Sequence, residues 1–179
     1  MSAETDAVDA LASWMNARSM KPNWERIIAG GSAGFDIGLH APHAALLLAT
    51  DGEWFLHLAT ARGTKRSPLG AIMSAHEVLI DALLFAIFTK ATSELDHTDR
   101  TASAQLSTVL RVLADESHDA RYSGRAAMLL AGHAIKDGYE LQARSRLEEA
   151  IRLFRTAGDI TAADTAASAL ESLPELMAS

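Results

Sequence analysis

The residues best equipped for chemistry cluster early in the chain. Gly30-Gly31-Ser32-Ala33-Gly34 has the spacing G-x-S-x-G, in which glycines permit a turn sharp enough to expose a serine as nucleophile. The apolar run Ile27-Ile28-Ala29 leads into it. Asp36, His40 and His43 follow with D-x3-H-x2-H spacing. Two histidines so placed suit a metal ion, but Pro42 lies between them and no third ligand set is apparent, so no metal site is expected. His57 falls on the opposite face of a hairpin from His43. Further along, His76 lies on the apolar stripe of a helix, and Asp81 interrupts that helix's most apolar stretch. A buried carboxylate is costly unless paired, so these two residues suggest a polar pocket within an apolar core.

The elements that must position these groups set limits on their chemistry. The serine motif resembles the nucleophile elbow of α/β-hydrolases and patatin-like lipases, which implies a catalytic Ser32. Such folds place several strands before the elbow and a helix after it. Here only the first thirty or so residues precede Ser32, and Phe35 to Pro42 has no helical pattern. The segment therefore reads as a glycine-rich connection into the next strand. Glu94-x-x-His97 and Asp115-x-x-His118 resemble the carboxylate–histidine pairs of di-iron bundles. They fall at the ends of consecutive antiparallel helices, about 25 Å apart. Histidines at helix C-termini are favoured by the helix dipole instead.

Periodicity predicts the elements themselves. Val8, Leu11, Ala12, Met15 and Met20 share a stripe, so the first twenty residues form a helix, which Lys21-Pro22-Asn23 ends. Phe35, Ile37 and Leu39 alternate with Asp36 and Gly38 as in a strand. Ala44 to Thr50 and Glu53 to Thr60 are apolar runs joined by Asp51-Gly52, a pair suited to a two-residue hairpin turn. That turn sets Thr50 opposite Glu53, Leu48 opposite Phe55 and Leu46 opposite His57. Both faces are largely apolar, so both should be covered. From Ser67 onward the pattern is helical. Ser67 caps a helix with Pro68 at its first position, running to about Glu94. Further helices cover about 99–116, 119–137, 139–157 and 159–173, and Pro174 ends the last, leaving a frayed tail.

The expected fold is mainly α: an N-terminal helix, a small antiparallel β-hairpin element at about 35–60, then five helices packed as antiparallel hairpins. Residues 1–179 form one domain, with a soft boundary near residue 64. Hydrophobic residues are 49% of the chain and charged residues 22%, the balance of a globular protein rather than a disordered one. There are no cysteines, which excludes disulfides and thiolate metal sites. Net charge is −7, and the densest basic patch, Arg62-Gly63-Thr64-Lys65-Arg66, reads as a solvated loop, so no nucleic-acid partner is expected. Val78 to Phe88 is too short to span a bilayer, and the acidic N-terminus lacks the features of a signal peptide. These features predict a cytoplasmic protein that neither spans nor binds a membrane.

The last fifty residues resemble a tetratricopeptide-type helical hairpin. Gly138, Ala143, Leu147 and Ala150 match its turn glycine and second helix, with Leu130 and Ala131 on the first. A second phase places Phe154, Gly158 and Ala163 in the same roles. A 34-residue step back from Ala143 and Ala150 lands on Val109 and Glu116, so that period is not repeated. The resemblance implies a protein-binding helical surface. The leading expectation is therefore a non-enzymatic adaptor, chaperone or regulator without a cofactor. It would bind another protein through residues such as Arg144, Arg152 and Phe154. The alternative is a small enzyme or ligand-binding protein whose pocket lies between the β element and the central helix, lined by Ser32, Asp36, His40, His57, His76 or Asp81. Self-association into a homo-oligomer is a third expectation.

Overall fold

The computed structural model describes residues 2–179. The chain contains a long run of antiparallel β structure where the sequence pattern indicated one hairpin. A helix α1 (Ala3–Ala17) leads into strands β1 (Glu25–Ala29), β2 (Ser32–Asp36), β3 (Ala44–Thr50), β4 (Glu53–Thr60) and β5 (Gly63–Ala71). Six helices follow: α2 (His76–Leu95), α3 (Thr101–Glu116), α4 (Ala120–Lys136), α5 (Glu140–Thr156), α6 (Ile160–Glu171) and α7 (Leu173–Ala178). Helix predominates, but the fold is mixed. Contacts divide the chain into two compact units, Met1–Ala86 and Ile87–Ser179, with the division inside α2. Thr64 itself lies within β5.

The first unit is α1, the sheet and the start of α2. The strands pair in chain order, β1-β2-β3-β4-β5, all antiparallel. The hairpin at Asp51-Gly52 has the register its turn residues dictate: Thr50 faces Glu53, Leu48 faces Phe55 and Leu46 faces His57. Asp51 and Gly52 both have positive φ, as this turn demands. One sheet face is buried, with Ala33, Phe35, Ala45, Leu47, Ala49, Trp54, Leu56 and Leu58 all at 4% exposure or less. Helix α1 lies against β2 and β3 and buries Val8, Leu11 and Met15. The other face is only half-covered, contrary to the expectation that both would be closed.

The helix expected from Ser67 does not form there. Ser67 and Pro68 belong to β5, and α2 begins at His76. Proline is compatible with this strand because β5 is at the sheet edge, where no ladder donor is required of it. The register shifts opposite Trp54 and Phe55, beside Pro68. Lys65 and Arg66 are exposed on the same strand, and such charges discourage edge pairing with other chains. Met73, which the helix expected from Ser67 would include, is 90% exposed in the connecting turn.

The second unit is the rest of α2 and α3 to α7. Its helices start on a 20-residue beat, with N-caps at Asp119, Tyr139 and Asp159. Each reversal has the same hydrogen bonds. Asp119 N–H donates to Ala114 O at 2.9 Å, Tyr139 N–H to Ala134 O at 2.8 Å, and Asp159 N–H to Phe154 O at 2.9 Å. The residues before these caps, His118, Gly138 and Gly158, are left-handed. Four residues after each cap a small side chain is buried: Ser123, Ala143 and Ala163. The two phases of the helical-hairpin resemblance are thus consecutive copies of one helix-and-turn unit. Pro174 does not end the chain in a frayed tail. It sits in the first turn of α7, where a missing N–H costs nothing, and Leu173 beside it is wholly buried.

His118 is the left-handed position filled by a residue with a Cβ. A left-handed L-residue costs roughly 1–2 kcal/mol, and glycine returns about 0.5–1 kcal/mol of that as lost backbone entropy. His118→Gly is expected to raise stability by up to about 1 kcal/mol in urea unfolding, and Gly158→Ala to lower it comparably. An unchanged midpoint in His118→Gly would show that the imidazole compensates its own strain.

Candidate functional site

The residues proposed from sequence are dispersed. Ser32 opens β2 in the tight β1–β2 hairpin, where Ala29 faces Ser32 across Gly30-Gly31. No helix follows it, so the strained strand-to-helix turn of a nucleophile elbow is not formed. Its hydroxyl bonds the Thr50 hydroxyl at 2.7 Å. Asp36 caps the next turn, accepting from Gly38 N–H at 2.9 Å. His40 is exposed and His43 is buried, with the His43 N–H on His40 O at 3.0 Å. No group of three or more metal-ligating side chains occurs among the described residues. Ser32, Asp36 and His57 lie on the half-covered face of the sheet. His76 lies on the other side, its ring 5.5 Å from that of Trp14 on α1. Arg18 reaches from the end of α1 to Glu77 at 3.3 Å. Asp81 is exposed. The buried carboxylate of α2 is Glu94, 1% exposed and paired with Lys90 at 2.9 Å.

In the second unit, tertiary packing assembles a polar cluster that no local motif announces. Ser103 of α3 donates its hydroxyl proton to Ala91 O at 2.7 Å. His133 Nε2 lies 2.9 Å from Ser103 Oγ. Because the serine proton is already committed, Nε2 must donate, which leaves His133 Nδ1 as the acceptor. Arg100 Nη1 approaches that nitrogen at 3.4 Å, and Arg100 Nη2 holds Asp137 at 2.7 Å. The pair has the composition of a serine–histidine dyad but the opposite proton direction. A nucleophile would need its proton accepted by histidine, so Ser103 is a structural bridge between α2, α3 and α4. The only signal in the sequence is the buried periodicity of α3 and α4, which does not say that these two helices face each other there.

A second network ties α3 to α4 and α5. Arg111 Nε sits 2.9 Å from both oxygens of Asp115, and its Nη2 donates to Glu149 at 2.7 Å. Ser123 donates to Asp115 at 2.6 Å. Hydrogen bonding from Arg111 holds the Glu149 carboxyl below its usual range despite partial burial.

The same unit has an apolar groove of about 330 Å³ on α2, α4 and α5. Phe88, Leu95, Met128, Leu129 and Phe154 line it, with Thr92 at its edge. Phe154 can lie there because position 124 is glycine, where a Cβ would come within 2.8 Å of the ring. Arg125 stacks over Phe88 at 5.1 Å and Tyr122 at 4.7 Å. Of the binding candidates named from sequence, Phe154 forms part of this lining. Arg144 pairs with Glu140 at 3.3 Å, and Arg152 is exposed on α5. No helix among the described residues is long and apolar enough to cross a membrane. The chain matches no family model, no curated protein and no solved structure.

Burial, followed by the charge of Arg100, holds the His133 imidazole below its ordinary value of 6.5. Asp137 pulls the other way and Lys136 adds to the lowering. The unfolded chain takes up this proton at the ordinary value, the folded chain only at lower pH. Stability is therefore complete above that value and falls as pH drops through the window beneath it. Urea midpoints should decline on acidification from pH near 7.5 to 5, and His133→Gln should flatten that decline. An equal slope in the variant would assign the pH dependence elsewhere.

Proposed function

We propose that this protein is a protein-interaction module, an adaptor, chaperone or regulator, whose helical unit receives a segment of another protein. The observation that supports this reading is the groove of Phe88, Leu95, Met128, Leu129 and Phe154 with Arg125 at its rim. Its volume, about 330 Å³, admits one or two large apolar side chains. Arg125 stacks on two rings and has no carboxylate partner among the described residues. A partner carboxylate placed beside the inserted side chain would gain a charge-assisted bond there. Arginine and aromatic residues around an apolar hollow are the usual strong contributors at protein interfaces. The partner segment is thus an amphipathic helix with a bulky apolar anchor and an acidic residue one turn away.

Peptide display against the full chain tests this reading. Selected sequences should converge on a bulky apolar residue flanked by Asp or Glu. Thr92→Trp, which fills the groove from its exposed edge, should weaken the selected peptides by about tenfold or more, the effect expected of a central contact. Arg125→Glu should remove the acidic preference. Peptides that bind wild type and Thr92→Trp equally would place the binding surface elsewhere.

A further inference from the structure

The half-covered face of the sheet carries an ordered pattern of charge that the helical groove does not involve. Residues directly opposed across neighbouring strands point to the same face. Glu25 pairs with Asp36, Asp36 with Leu46, Leu46 with His57, and His57 with Arg66. One row across all five strands therefore reads acid, acid, apolar, histidine, arginine. The neighbouring row is Ile27, Gly34, Leu48, Phe55 and Pro68. Leu46, Leu48, Phe55 and Ile27 are each half-buried, an apolar centre on a face that in a solvated antiparallel sheet would alternate to polar residues. Arg66 is itself exposed and lies 3.6 Å over the Phe55 ring, covering part of that centre.

The order of this row is self-complementary. A two-fold axis in the interface, close to β3 and along it, lays β1 over β5, β2 over β4, and β3 over itself. Glu25 then meets Arg66 of the second copy, Asp36 meets His57, and Leu46 meets Leu46. In the neighbouring row Leu48 meets Leu48, and Phe55 meets Gly34. Gly34 presents no side chain there, and it can carry none, because a Cβ would fall 1.9 Å from Leu47 O. The position that must be glycine for strand pairing is thus the one that leaves room for an opposing aromatic ring. Two sheets packed face to face in this way stand about 10 Å apart with strands within roughly 30° of each other, which keeps the pairs nearest the axis in register.

We propose that this face is the contact surface between two copies of this chain, packed sheet on sheet about a two-fold axis along β3. An isologous interface requires a patch complementary to itself. A charge row running from acid to base on either side of an apolar centre meets that requirement with no second kind of partner. Each substitution in such a patch acts twice, once per copy.

Sedimentation equilibrium of the full chain tests the proposal, with far-UV circular dichroism confirming that each variant folds. The wild type should be a dimer. Leu48→Asp, which sets two carboxylates against each other at the axis, should be a monomer. Glu25→Arg and Arg66→Glu should each weaken the dimer by about tenfold or more, as like charges are brought together. The double variant Glu25→Arg/Arg66→Glu restores opposite charges across the axis and should return to wild-type strength. A wild type that is monomeric at millimolar concentration overturns the proposal. So does a dimer indifferent to Leu48→Asp, or a double variant as weak as the singles.

Discussion

Burial of one face of the antiparallel sheet is the interaction on which the first unit is built. Successive side chains on a strand point to opposite faces, so Leu47, Leu56 and Trp54 enter the core only if Leu46, Leu48 and Phe55 leave it. Helix α1 closes the first set by bringing Val8, Leu11 and Met15 against β2 and β3. The second set remains half-covered because the unit offers the sheet this helical layer on one side. A small unit that buries one face well and leaves apolar side chains on the other has a surface to fill. That imbalance is the physical basis for proposing the outer face as a contact surface.

The second unit rests on a different device, a helix reversal used three times at the same spacing. At each, the N–H of the next helix's cap returns to a carbonyl five residues back, which satisfies helix-end groups that would otherwise lack partners. The small buried residues Ser123, Ala143 and Ala163 follow at one position in each copy. Regular turns fix the helix lengths, and the lengths bring Arg111 to Glu149 and Ser103 to His133. The polar networks then tie α3 to α4 and α5 at two levels. The apolar groove with Arg125 lies on α2, α4 and α5.

These two surfaces differ in kind. The groove is a hollow with one cation and suits a foreign segment. The sheet face is broad, with both charge signs arranged across an apolar centre, and suits a copy of itself. The Ser103–His133 pair shows why neighbouring reactive residues are not sufficient for catalysis. The direction in which the hydroxyl proton points, toward Ala91 O, decides its role.

The sequence by itself determined what depends on neighbours along the chain. Asp51-Gly52 set the register of β3 against β4, because a two-residue turn leaves no freedom in the pairing. The stripe of Val8, Leu11 and Met15 marked α1, and Gly138 and Gly158 marked the reversals before α5 and α6. A 34-residue step did not reveal a repeat, because the helix starts recur every 20 residues. Only tertiary structure decided the rest. Ser67-Pro68 has the local signature of a helix start, yet pairing with β4 makes it an edge strand, because ladder bonds and burial of Leu69 outweigh a cap. Gly30 to Gly34 carries a nucleophile's spacing, but it forms a hairpin turn that runs on into strand β2 in place of a helix. Asp81 and Glu94 share one helix, and which carboxylate is buried depends on what packs against it, information that no position on the helix contains. The meeting of Ser103 with His133, and of Glu25's row with Arg66, joins residues far apart in the chain. Such encounters follow from strand order and helix packing, so the chemistry of both became legible only in the folded molecule.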